Sequence, residues 1–140
     1  MDKLPDFLLA HPILSALFLG LTGALAFVSF FPPGGKNRVS PVDATRLMSH
    51  EDALVLDVRV DSEFRDGHIV NALNIPLEQL VSSMKKLEKP KTRPIIATCR
   101  TGQRSATAVK TLREHGFESL YTLGGGIAAW ESATLPLTKD

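Results

Sequence analysis

Pro94-Ile95-Ile96-Ala97-Thr98-Cys99-Arg100-Thr101-Gly102-Gln103-Arg104-Ser105 is the stretch on which the reading of this chain turns. Its first five residues form an apolar run short enough for a buried strand. Ser105 to His115 reads as a helix that stops at Gly116. Cys99 therefore stands at the carboxyl end of a strand, on a loop that opens a helix. In open α/β sheets ligands bind at such places. Loop amides and a helix N-terminus favour an anion, and Arg100 and Arg104 add positive charge on either side. That anion is either a substrate or the cysteine's own thiolate. These surroundings lower a thiol pKa and make the sulfur nucleophilic. A buried core cysteine is the competing reading. It is disfavoured because such a residue would lie within the apolar run, not at its end before Arg, Gly and Arg.

Working outward, the 140 residues allow one compact domain of about 100 residues with an appendage. Cys99 is the only cysteine, so an intrachain disulfide, a CxxC redox pair and a cysteine-based zinc site are excluded. Sixteen Lys and Arg balance fifteen Asp and Glu with no long basic block, which speaks against a nucleic-acid partner. His11, His50, His68 and His115 have no metal-ligand spacing, so neither a metal nor a cofactor is expected.

Upstream, Ile13 to Phe31 has no charged residue. As a helix it would span about 28 Å, close to the roughly 30 Å hydrocarbon core of a bilayer. Pro32-Pro33-Gly34-Gly35 is a helix stop. An uncleaved membrane anchor is the preferred reading. A signal peptide comes second, because Lys3 is offset by Asp2 and Asp6 and the small-x-small site Ala24-Leu25-Ala26 lies inside the apolar run. A core helix comes last, since it would have to be apolar on every face. Lys36 and Arg38 after the span outnumber Lys3 before it, which places the C-terminal domain in the cytoplasm. A free reactive thiol agrees with a reducing compartment.

The remainder alternates strands with helices. Ser40-Pro41 starts a helix, with Ser40 as N-cap and Ala44, Leu47 and Met48 on its apolar face. Ala53 to Val58 reads as a buried strand interrupted by Asp57. With Arg59 beside it, Asp57 is expected to form a structural ion pair rather than support the cysteine loop. Ser62 to Gly67 reads as one helical turn capped by Ser62 and ended by Gly67. Leu77 to Leu87 reads as an amphipathic helix, with Leu77, Leu80, Val81, Met84 and Leu87 on one face and Lys85, Lys86 and Lys89 solvated near its end. After a loop over Glu88 to Arg93 comes the Cys99 strand, then a helix from about Arg104 to Glu114 with Ala106, Val109 and Leu112 facing the core. Ser119 to Leu123 is another strand. Gly124-Gly125-Gly126 permits a sharp turn or a close backbone approach, and a short helix with Ile127 and Trp130 follows. The alternation predicts an α/β domain with a parallel sheet and helices on both faces, preceded by one transmembrane helix. The division expected is 1–37 for anchor and linker and 38–140 for the domain.

On these residues the chain resembles the rhodanese domain family. The similarity runs through Asp57-Val58-Arg59, Glu63-Phe64, Gly67-His68-Ile69, Ala72, Asn74-Ile75-Pro76, the Cys99 loop, Gly124-Gly125 and Trp130. The anchor with a single domain looks like the small membrane-tethered rhodaneses of bacteria, which implies a single-pass protein of the bacterial inner membrane. The resemblance implies a sulfurtransferase. Cys99 would take a sulfane sulfur from thiosulfate or a persulfide and pass it to cyanide or a thiol. The backbone of Arg100, Thr101, Gly102, Gln103, Arg104 and Ser105 would cradle the persulfide. Arg100 would hold an anionic donor, and Arg104 would do the same or stabilise the loop. His68, Asp57 and Arg59 are assigned structural roles. Phosphatase and arsenate-reductase relatives look like C-x5-R, one residue longer than the loop ending at Arg104; here that position is Ser105, so a phosphate would lack its guanidinium clamp. Two other readings stand beside the enzyme. One is a membrane-anchored protein-interaction module in which catalysis is dispensable, with a membrane protein as partner. The other is a redox sensor, disfavoured by the lack of a second cysteine.

Overall fold

The computed structural model describes residues 3–30, 37–87 and 92–139. Two compact units are present, Met1–Gly35 and Lys36–Asp140.

The first unit is helical, with α1 at Lys3–Ala10 and α2 at Pro12–Phe30. No residue of α2 is buried, and it is long and apolar enough to cross a membrane by length and composition. Ser15 Oγ donates back to the Leu8 carbonyl of α1 at 3.2 Å, and the other two hydroxyls find acceptors within the helix. Thr22 Oγ1 donates to the Phe18 carbonyl at 2.8 Å and Ser29 Oγ to that of Leu25 at 2.8 Å. This is how an isolated helix carries Ser and Thr without leaving polar hydrogens unpaired in hydrocarbon. Phe31, the Pro32–Gly35 stop and Lys36 lie outside the described residues.

The second unit is an α/β domain around a five-stranded sheet. The strands are β1 (Arg38–Val39), β2 (Leu54–Asp57), β3 (Leu73–Asn74), β4 (Ile95–Thr98) and β5 (Leu120–Leu123). They lie in the order β1-β5-β4-β2-β3 with every pairing parallel. The expected parallel sheet is thus present. The central strands β2 and β4 are buried on both faces, as inner parallel strands require, whereas the edge strands β1 and β3 are only partly covered. Side chains alternate between two cores: Leu56, Val58, Ile95, Ala97, Cys99 and Leu120 belong to one, Val55, Ile96 and Leu123 to the other. The first core is closed by α5 (Gln103–Glu114), the second by α3 (Pro41–His50) and α6 (Gly126–Ser132).

The start of α3 is as read: Ser40 Oγ accepts the Asp43 amide at 3.1 Å, and Pro41 occupies the first turn. Four local expectations are corrected. The turn α4 runs Asp61–Asp66, its N-cap is Val60 with no side-chain bond, and Ser62 lies inside it. Asp61 and Glu63 in its first turn supply the favourable charge instead. Leu77 to Leu87 is not one α-helix but two 3₁₀ segments, Leu77–Gln79 and Val81–Leu87. The Leu77 amide is held by the Val58 carbonyl at 3.1 Å, and Ser82 Oγ donates to the Gln79 carbonyl at 3.0 Å. Tertiary anchoring and serine competition for backbone acceptors thus tighten the turns. Leu80, Met84 and Leu87 are buried, whereas Val81 faces outward and is 60% exposed. Lys85 and Lys86 are exposed; Lys89 and most of the loop, residues 88–91, lie outside the described residues. Helix α5 begins at Gln103, and Ala106 is exposed; the inward face is Ser105, Ala108, Val109 and Leu112. A polar residue leads that face, so hydrophobic periodicity alone misplaces it by one position.

Candidate active site

Cys99 directly follows β4, near the middle of the sheet, and is 1% exposed. It packs in the core, as the competing reading held, and its sulfur also accepts a loop amide. Gly102 makes the turn: its φ of 116° is open to glycine, and it is the N-cap of α5. The loop is consequently shorter than the sequence implied. Arg100, Thr101 and Gly102 form it, while Gln103, Arg104 and Ser105 are the first turn of α5.

That first turn has no side-chain cap, so its amides are available to the sulfur. The Gly102 amide donates to Cys99 Sγ at 3.0 Å. Ser105 Oγ lies 3.7 Å from Sγ and donates to the Gly102 carbonyl at 2.9 Å. Burial by itself raises the thiol pKa. The Ser105 amide and hydroxyl and the amides of Gly102 and Thr101 outweigh it, so the thiol lies below its ordinary value of 9.0.

The reverse side of the loop is held by α6. The Ile127 amide donates to the Cys99 carbonyl at 2.9 Å and the Ala128 amide to the Arg100 carbonyl at 3.2 Å. In a trans peptide the N–H points opposite to the C=O. Fixing these two carbonyls on α6 therefore turns the amides of Arg100 and Thr101 the other way. The approach is so close that a Cβ at Gly126 would collide with the Cys99 carbonyl oxygen. The glycine run is thus more than a turn: it lets one helix N-terminus set the peptide planes of the cysteine loop.

The arginines divide by partner. Arg104 pairs with Glu63 of α4 at 3.0 Å, which ties α5 to α4 and spends its charge there. Arg59, 6% exposed, pairs with the fully buried Asp57 at 2.7 Å and donates to the Gly67 carbonyl at 2.8 Å. Asn74 Nδ2 donates to the carbonyls of Asp57 and Arg59 at 3.0 and 2.9 Å. The Asp57 pair is the structural ion pair expected. Arg100 is exposed and has no charged or hydrogen-bonded side-chain partner among the described residues. It borders a cavity of about 230 Å³ that extends over Arg59 to α4 and α6. Thr101 and Gln103 are exposed. His68 stacks on Phe64 with ring centroids 3.7 Å apart, its Nδ1 is 2.8 Å from the Phe64 carbonyl, and its backbone bridges to Thr138. These contacts fit a structural role. The side-chain function of Ser105 was missed by the sequence reading, although a serine at the first inward position of a helix opening on a cysteine was its available signal. No group of three or more His, Cys, Asp or Glu able to hold a metal ion occurs among the described residues.

Residues 40–133 match the sequence pattern of the rhodanese-like domain. The chain is 33% identical to the uncharacterized protein YibN of Escherichia coli (strain K12), covering 99% of both chains. It is 36% identical to a sulfurtransferase of Allochromatium vinosum over 66% of this chain and 84% of that one. It is 30% identical to the thiosulfate sulfurtransferase GlpE of Coxiella burnetii over 68% of this chain and 87% of that one. Among solved structures, a rhodanese-related protein of Thermoplasma volcanium superposes with a TM-score of 0.67 at 30% identity, covering 74% of this chain and 99% of the other.

Proposed function

Because the chain belongs to the rhodanese-like domain family, we propose that it is a sulfurtransferase which carries a sulfane sulfur as a persulfide on Cys99. The observation that carries this reading is the Cys99 sulfur with its pKa lowered by the Ser105, Gly102 and Thr101 donors. The lowered pKa enlarges the thiolate fraction, and the thiolate is the nucleophilic form. It attacks the outer sulfur of thiosulfate or of a persulfide. A Cys99–sulfur bond forms, the donor's S–S bond breaks, and sulfite or a thiolate leaves with the electron pair. The same amides that held the thiolate then face the persulfide anion. A thiol or cyanide takes the outer sulfur and returns the Cys99 thiolate. The names of the sulfurtransferase relatives support this class of reaction.

The working division is an anchor and linker over residues 1–37 and a sulfurtransferase domain over 38–140. Helix α2 would hold the protein in a membrane as a single pass, with the domain on the cytoplasmic side. Its length and apolar composition support the first part and the Lys36 and Arg38 bias the second. Location at a membrane fits delivery of sulfur to, or docking on, a membrane protein.

The deciding experiment is a mass spectrum of the purified chain after incubation with thiosulfate and, separately, with a small-molecule persulfide. The expected result is one added sulfur on Cys99, removed by cyanide or a thiol. Failure of both donors with the fold intact and the thiol reduced would overturn the enzymatic reading and leave the interaction module in its place.

A further inference from the structure

Two of the three guanidinium groups around the cysteine loop are matched by a carboxylate. Arg59 is held by Asp57. Arg104 is held by Glu63 of α4, with Nη2 3.0 Å from Oε2 and Nη1 3.5 Å from Oε1. The third, Arg100, borders the space between α4 and α6, on the side of the loop that α6 holds. Arg104 is placed differently. It is the second residue of α5, directly before Ser105, whose amide and hydroxyl lower the Cys99 pKa. It is also the only charged residue from Thr101 to Ser105. The Arg104 and Glu63 side chains are 36% and 34% exposed, so water weakens the field of each without abolishing it. The start of α5 is shaped without the pair. The Gly102 carbonyl accepts from Ser105 Oγ at 2.9 Å and from the Ala106 amide at 3.3 Å, and Ala108, Val109 and Leu112 anchor the helix in the core. What Glu63 alters at this turn is therefore its charge.

We infer that Glu63 is a specificity-determining residue: by neutralising Arg104 beside Cys99 it withholds a cation from a dianionic donor and turns the site from thiosulfate toward persulfides. The inference rests on the sulfurtransferase reading and names its donor class. Attack of the Cys99 thiolate on thiosulfate gathers three negative charges, whereas attack on the persulfide monoanion of an uncharged thiol gathers two. Each charge brought to the sulfur costs more where no free cation answers it. The amides around Cys99 stabilise its sulfur whichever donor arrives, so they do not tell one donor from another. A side-chain charge beside them does, because it acts on the whole incoming anion. In both transfers a Cys99–sulfur bond forms as the donor's S–S bond breaks, and sulfite or the donor thiolate leaves with the electron pair.

The test measures kcat/KM for thiosulfate and for the persulfide of 2-mercaptoethanol on the full chain, on Glu63→Gln, on Arg104→Gln and on the double variant. The ratio of thiosulfate to persulfide should rise about threefold in Glu63→Gln and fall about threefold in Arg104→Gln. In the double variant, where no charge remains at either position, it should return close to its starting value. A pair that only braces α5 would slow both donors together in either single variant. A ratio unchanged in both, or moved the same way in both, overturns the inference. If no donor loads Cys99, the sulfurtransferase reading fails, and the charge effect is judged separately by the ratio of alkylation rates with iodoacetate and with neutral iodoacetamide. Both reagents react with the thiolate, so its ionisation cancels from that ratio. Opposite movements in the two single variants uphold the control of anion approach by Glu63. Equal ratios, or a sulfur that neither reagent reaches, overturn it.

Discussion

Two neighbouring turns of this domain share one local design and use it differently. Each leaves the carboxyl end of a parallel strand, passes through a glycine N-cap in the left-handed region, and opens a helix without a side-chain cap. Between β4 and α5 the glycine is Gly102, and the free amides meet a sulfur. Between β5 and α6 it is Gly125, and the free amides meet the carbonyls of Cys99 and Arg100. An uncapped helix start is an unsatisfied donor set, and whatever it faces determines its use. Here one donor set faces the sulfur while the other immobilises the backbone around it.

Removing the sulfur breaks the comparison most completely. Cys99→Ala should reduce sulfur loading and transfer by about a thousandfold or more, as loss of a nucleophile does. Circular dichroism should still report a folded chain, because the truncation removes one buried atom and costs about 1 kcal/mol.

Gly126→Ala attacks the supporting turn. Gly126 has a φ of 60°, and its added Cβ meets the Cys99 and Arg100 backbone, which cannot give way as a side chain can. Urea unfolding should show a loss of about 3 kcal/mol, and thiol alkylation should slow although no residue of the cysteine loop has changed.

Ser105→Ala sharpens the role of the first turn. Thiol reactivity follows the thiolate, so its pH profile rises through the pKa. Losing the hydroxyl should move the midpoint of alkylation upward, and Ser105→Thr should restore it. The sign for stability follows from the lowered folded pKa. The contribution is complete above the unfolded thiol's pKa and is lost as pH falls through the folded value. Denaturation curves across that interval should show it shrink in the alanine variant.

Gly102→Ala should have the smallest effect. Its φ of 116° strains an alanine, but a Cβ there meets nothing within 4 Å. A loss of about 1 kcal/mol is expected in the same urea assay. If it equalled that of Gly126→Ala, the close contact between α6 and the cysteine loop would not be what distinguishes the two turns.

Much of this was legible in the chain itself. Apolar runs bounded by turn residues marked β2, β4 and β5, and the Ser40-Pro41 pair marked the start of α3. Cys99 before Arg and Gly marked the thiol that the structure places under loop amides, and Asp57 with Arg59 marked the buried pair. These signals are local, or span neighbours along the chain. Partner choice across the fold was not legible. The chain alone left Arg104 open between a substrate role and a structural one, and only packing brings Glu63 to within 3.0 Å of it. It showed that the glycine run permits close approach, but not that the approach is to Cys99 and Arg100. It also counted Ser105 as loop backbone, because a polar residue has no place in a hydrophobic pattern even when its hydroxyl is buried beside a sulfur. Residue types and spacing therefore determined the strand and helix order and singled out the cysteine. The tertiary structure decided which charges remain free and which amides face the sulfur, because both depend on groups that are distant in sequence and meet only when the sheet assembles.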